Sequence, residues 1–161
     1  MKTYQAPWGK SLIVVSSLLV VLAVACFFAA EFMRPFITPA FPAPFAQWLM
    51  LAIVLCCLPF MIRGYVITED AILIRRLFWT TRLDRTGLKS AEVIPKAMGK
   101  SLRTCGNGGG FSFTGWYWSK PLGFYRAFVT DQDRTVVLRF EKKTVVVSPG
   151  ELEDFVKELN C

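Results

Sequence analysis

The chain has 161 residues, 53% of them hydrophobic, with 19 Lys plus Arg against 12 Asp plus Glu, a formal charge of +7 and no histidine. The missing histidine excludes zinc sites of Cys/His type and His-dependent catalytic triads. Five cysteines, of which Cys26, Cys56 and Cys57 lie inside apolar runs, are an odd total that does not make a disulfide framework.

Two stretches without a charge, residues 11–30 and 35–62, fill most of the first 62 positions. A helix crossing a hydrocarbon core of roughly 30 Å needs about 20 apolar residues, and residues 11–30, bounded by Lys10 and Glu31, meet that length. A cleaved signal peptide is disfavoured because Phe28 stands where the site before Ala30 requires a small side chain. Cys26 ends a loosely lipoprotein-like run, yet Phe27, Phe28, Ala29 and Ala30 continue the apolar pattern where a polar tether would begin. Residues 11–30 are therefore read as transmembrane helix 1. Pro35, Pro39, Pro42 and Pro44 break the start of the second stretch. That places a Pro-rich external loop at 31–44 and transmembrane helix 2 at 45–63. Lys2 and Lys10 precede the first span, Arg63, Arg75 and Arg76 follow the second, and Glu31 and Arg34 cancel between them. Retention of Lys and Arg on the cytoplasmic side predicts a multi-pass protein of the cytoplasmic membrane with both termini inside, residues 1–10 forming a cytoplasmic segment. Trp8 and Trp48 suit interfacial anchoring, or for Trp48 packing on helix 1.

Residues 64–161 form one domain, with about sixteen Lys plus Arg against eleven Asp plus Glu from Arg63 onward. Short alternating runs predict strands at 65–68, 71–78, 80–85 and 88–94. Residues 95–110 read as a loop ending in five positions with four glycines, and 111–118 as a strand or ordered loop. Strands return at 124–130, 135–140 and 144–148, with turns at Asp131-Gln132-Asp133 and Glu141-Lys142-Lys143. Ser148, Pro149 and Glu151 make a capping-box arrangement for a last helix, whose Leu152, Phe155, Val156 and Leu159 form one apolar stripe. About seven antiparallel strands closed by an amphipathic helix describe a small barrel or orthogonal sandwich, an all-β or α+β unit behind a membrane α-helical hairpin.

Gly106-Asn107-Gly108-Gly109, Gly123-Phe124-Tyr125-Arg126-Ala127 and Val147-Ser148-Pro149 ahead of the last helix carry a resemblance. The chain resembles the bacterial pleckstrin-homology-like (PH-like) membrane proteins, in which two transmembrane helices precede one PH-like domain. The likeness covers residues 64–160 and, with the two-span prefix, nearly the whole chain. It implies a non-enzymatic membrane-anchored module, of a kind often without an assigned role, that self-associates; no cofactor is expected, and the chain is expected in the bacterial inner membrane.

Two groups of residues stand out as contact surfaces. Trp116 and Trp118 with Lys120 and Arg126 suit a headgroup or partner interface, against cross-strand packing as the plainer explanation. Arg75, Arg76, Lys96, Lys100 and Arg103 line a basic rim that docks on anionic lipid or is simply solvated. The glycines at 106–110 invite a phosphate cradle, but no Lys-Ser/Thr pair opens a helix behind them, so a turn needing positive φ is the better reading. Glu69-Asp70 and Asp131/Asp133 are turn formers, and Cys105 has no evident base, so no catalytic, metal-binding or cofactor-binding residue is assigned. Nucleic acid is excluded for want of a recognition motif. The expected function is protein interaction or self-assembly at the cytoplasmic membrane surface, with recognition of anionic headgroups by the basic rim as the alternative.

Overall fold

Period-two burial sorts the strands into two sheets, seen in a computed structural model that describes residues 1–33 and 43–160. The smaller sheet has the order β1-β2-β3-β4, built from Lys2–Gln5 (β1), Ile62–Ile67 (β2), Ala71–Arg76 (β3) and Thr80–Asp84 (β4). The larger has the order β5-β9-β10-β8-β7-β6, from Leu88–Val93 (β5), Leu102–Gly108 (β6), Phe113–Ser119 (β7), Gly123–Val129 (β8), Val136–Phe140 (β9) and Thr144–Val147 (β10). Tyr65, Ile72, Ile74, Phe128, Leu138, Val145 and Val147 fill the space between the sheets. Helix α3 (Leu152–Asn160) closes that core with Phe155 and Leu159, and Leu152 and Val156 pack against it, as the apolar stripe predicts.

The expectation of about seven antiparallel strands in a barrel needs correcting. Ten strands occur among the described residues, they form two open sheets, and β8 and β10 run parallel. One added strand, β1, precedes the first helix and pairs with β2 from Lys2↔Ile67 to Gln5↔Gly64, so residues 1–5 belong to the domain. The other, β6, occupies much of the predicted 95–110 loop, and residues 111–118 resolve as β7. The predicted capping box also does not form. α3 starts only at Leu152, and the Ser148 hydroxyl instead accepts the amides of Thr130 at 2.8 Å and Asp131 at 3.2 Å. Those amides lie at the open end of β8, where ladder partners run out.

Helix α1 (Lys10–Met33) begins inside the domain rather than at a membrane boundary. Leu12 is fully buried with Ala97, Met98, Tyr117, Tyr125 and Val146, covering the outer face of the larger sheet. Beyond Ser17 the helix shows apolar side chains on all sides, among them Leu18, Val21, Phe28 and Phe32. Helix α2 (Ala43–Cys57) packs beside it and ends in a 3-10 turn, Leu58–Phe60, that leads into β2. Among the described residues only α1 is long and apolar enough to cross a membrane, so the second predicted span is not established. Glu31, Phe32 and Met33 belong to α1 and Ala43 and Pro44 to α2, which shortens the predicted 31–44 loop. The rest of that loop and Cys161 lie outside the described residues.

Candidate anion-binding cleft

Six strands face four, so β6 and β7 extend past the smaller sheet and leave part of their inner face uncovered. Along β8, Phe124, Arg126 and Phe128 alternate onto that inner side, and cross-strand pairing adds Trp116 opposite Arg126 and Trp118 opposite Phe124. Leu102 on β6 extends the outer row by pairing with Trp118. Phe128 is buried in the core, whereas Trp116, Trp118, Phe124 and Leu102 are exposed. Where this overhang meets the end of α2, a cavity of about 440 Å³ is lined by Cys56, Cys57, Phe60, Arg76, Arg103 and Arg126 among others, none of them acidic.

Arg76 decides the character of the cleft. It ends β3, is 8% exposed, and its Nε and Nη1 meet no hydrogen-bond acceptor among the described residues. Its guanidinium lies over the rings of Phe60 (5.5 Å), Trp79 (5.5 Å) and Phe128 (5.3 Å). Arg126 lies over Phe128 (4.9 Å) and Trp116 (5.9 Å), so two like charges share one ring. Burial first, and Arg126 second, pull the Arg76 pKa below its ordinary value. Ring faces offset part of a cation's lost hydration, but an anion between the guanidinium groups would satisfy the orphaned N–H groups directly. Arg103 lies against Gly108, where a side chain on the glycine would displace it.

The glycine-rich segment does a different job from cradling phosphate. Its amides are already taken, Gly109 N by Ser112 O (3.2 Å), Gly110 N by Asn107 Oδ1 (3.0 Å) and Phe111 N by Ser16 Oγ (3.1 Å). Ser16 in turn donates to Gly109 O (3.1 Å), and Ser112 donates to Phe60 O (2.8 Å). The β6–β7 turn thus fastens both helices to the domain. Gly106 and Gly115, at φ +120° and +140°, pair across the two strands so closely that a Cβ on either would overlap the opposite backbone.

A family model of the bacterial PH domain matches residues 63–161. The chain belongs to the bacterial PH domain family. No curated protein and no solved structure matches it. The bacterial PH domain match leaves out β1, although that strand completes the smaller sheet.

Of the residues singled out from sequence, Arg76, Arg103, Trp116 and Arg126 come together in the cleft, and Trp118 stands in the exposed row beside it. Arg76 is a buried residue, not a rim one. Arg75 is exposed on the outer side of β3 and lines a second cavity, which Arg76 also borders. Lys96 and Lys100 lie in the 94–101 loop, whose Ala97 and Met98 pack on the opposite face of the larger sheet, with Lys96 3.8 Å from Asp133. Lys120 sits in the β7–β8 turn, away from the arginines. The sequence reading missed Phe60 and Phe128, whose rings hold the guanidinium groups, and Ser16, whose one signal was a hydroxyl inside an apolar run. The predicted turn role of Asp131 is seen in its Oδ1 accepting the Asp133 amide at 3.0 Å.

Proposed function

We propose that this bacterial PH domain is a membrane-anchored binding module that grips an anionic lipid headgroup between Arg76, Arg103 and Arg126. The buried Nε and Nη1 of Arg76, without a hydrogen-bond partner among the described residues, in a cleft whose described lining holds no carboxylate, carry this reading. It reverses the order of the two sequence expectations, placing headgroup recognition ahead of protein docking. Strand addition at β6 is disfavoured, because a register shift between Arg103 and Cys105 and the positive φ of Gly106 disturb that edge. The exposed row of Leu102, Trp118 and Phe124 favours a second reading, in which a partner protein or another copy covers the outer part of the overhang.

Anchoring rests on α1 and α2 crossing the cytoplasmic membrane as a hairpin with both termini inside the cell. From Ser17 to Met33, α1 extends about 26 Å, and α2 with its 3-10 turn about 28 Å, each close to a hydrocarbon core of roughly 30 Å. The β1–β2 pairing supports this topology, because it ties the segment before α1 to the segment after α2. Lys2, Lys10, Arg63 and Arg75 all lie on that side. In this reading the cleft opens at the foot of α2, at headgroup height. The test is thermal unfolding of the full chain in neutral detergent, titrated with short-chain phosphatidylglycerol or phosphatidylcholine. Stabilisation by the anionic lipid alone, weakened by salt and lost in Arg126→Met, is expected; equal effects of the two lipids would overturn it.

A further inference from the structure

The turn between β3 and β4 has an unusual composition for a loop tip. Gly, Asn, Asp and Ser ordinarily occupy such positions, and the turns at the opposite end of the same sheet follow that habit with Glu69-Asp70 and Thr86-Gly87. Here the tip is Leu77, Phe78 and Trp79, closed by the Arg76 amide donating to Trp79 O at 2.9 Å. Phe78 is 74% exposed and Trp79 42% exposed. The core gains nothing from a ring left in that position.

Its neighbours explain the choice. Trp79 meets Phe60 edge to face at 5.6 Å, so the tip stands beside the end of α2. Arg63 and Arg75, both exposed, line a cavity of about 380 Å³ behind the tip together with Phe78, Trp79 and Gln5, and no acidic residue lines it. The acids of this sheet, Glu69, Asp70 and Asp84, lie at the far ends of its strands. The end of the sheet nearest α2 is therefore apolar and basic with no acid, whereas the far end mixes Glu69, Asp70 and Asp84 with Lys2, Arg82 and Arg85, so it is the end nearest α2 that suits an anionic lipid surface.

We propose that the β3–β4 tip is a bilayer-inserted wedge, with Phe78 and Trp79 among the upper acyl chains and Arg63 and Arg75 against lipid phosphates. The wedge rests on the membrane-anchored reading but not on headgroup binding in the cleft, although the two surfaces meet at Arg76 and Trp79. Together with the feet of α1 and α2 it gives the domain a third point of attachment and fixes its tilt.

The test places a photoreactive benzoylphenylalanine at position 78, or at the exposed turn residue Lys142 as control, in the full chain reconstituted in vesicles of phosphatidylethanolamine and phosphatidylglycerol. After irradiation and an alkaline wash, a lipid-mass adduct at 78 and none at 142 is the expected result. A chain retained by the vesicles without an adduct at 78, or cross-linked there to a second polypeptide, would overturn the wedge alone. Release of the chain by alkali would remove the anchoring beneath it as well.

Discussion

Replacing Arg76 by methionine should stabilise the protein in neutral detergent and weaken its response to anionic lipid. Arg76 is 8% exposed, and its guanidinium has ring contacts at 5.3 to 5.5 Å but, among the described residues, no hydrogen-bond acceptor for Nε and Nη1. Three cation–π contacts contribute about 3 kcal/mol together. Burying an ion with no counter-charge costs several kcal/mol, and Arg126 over the same Phe128 ring adds repulsion. Methionine keeps the stem's length, packs its sulfur against the same rings and carries no charge to desolvate. The net gain should be about 1–2 kcal/mol, which for a domain of this size raises the unfolding midpoint by about 4–8 °C for each kcal/mol. Anionic lipid at a hundredfold excess over its dissociation constant should stabilise the natural protein by about 2.7 kcal/mol and the variant by much less. The order of stability should therefore invert between neutral and anionic detergent mixtures, read by thermal unfolding. A variant less stable than the natural protein in neutral detergent would mean that the ring contacts outweigh desolvation and that Arg76 is a structural residue.

Ser16→Ala removes only the hydroxyl and leaves Gly109 O and Phe111 N without their partner, at a cost of about 1–3 kcal/mol. Hydrogen exchange should rise at residues 109–112 and stay unchanged in β9 and β10. Gly115→Ala forces a side chain at φ +140° into the Cys105 carbonyl and should cost about 3 kcal/mol or more, with loss of β6 protection and of lipid response. Burial pushes the hydroxyls of Tyr65 and Tyr117 up to about 12, so the folded state keeps protons that the unfolded chain releases near pH 10. Their contribution is complete below pH 10 and is lost as pH rises toward 12, by up to about 1.4 kcal/mol per pH unit for each. Absorbance at 295 nm should show these tyrosinates appearing only with unfolding.

Periodicity was legible wherever a strand buries one face against a strong partner. The stripe of α3 and the last hairpin, β9 and β10, are the clearest cases, since every inward position there is a large apolar residue. The two unread strands lack that signature for different reasons. β1 has four residues and buries only Tyr4, so pairing with β2 makes it a strand where its composition does not. β6 is an exposed edge containing Gly106, Asn107 and Gly108, and β7 supplies the ladder that orders it. Ser148 failed as a cap because a nearer demand, two amides at the end of β8, captured its hydroxyl. In the cleft the residue types were legible but their burial was not. Arg75 and Arg76 are adjacent in sequence, and period two sends one to solvent and the other between three rings.

The attachment of the helices bears directly on how tightly the cleft must bind. A domain on a flexible linker searches a volume, and each binding event must then order the linker. Here Ser16 and Ser112 bond the β6–β7 turn to α1 and to the end of α2, and β1 ties the other side of α1 to β2. Cleft and helix feet are therefore tied to one another, and on the proposed membrane-anchored reading a headgroup beside α2 would already be at the right height. On that reading little orientational freedom would be left to lose, so modest contacts from three arginines would suffice for occupancy. Selection must then come from charge rather than from reach. A neutral headgroup would approach the same arginines just as closely and leave the N–H groups of Arg76 no better satisfied than the rings do.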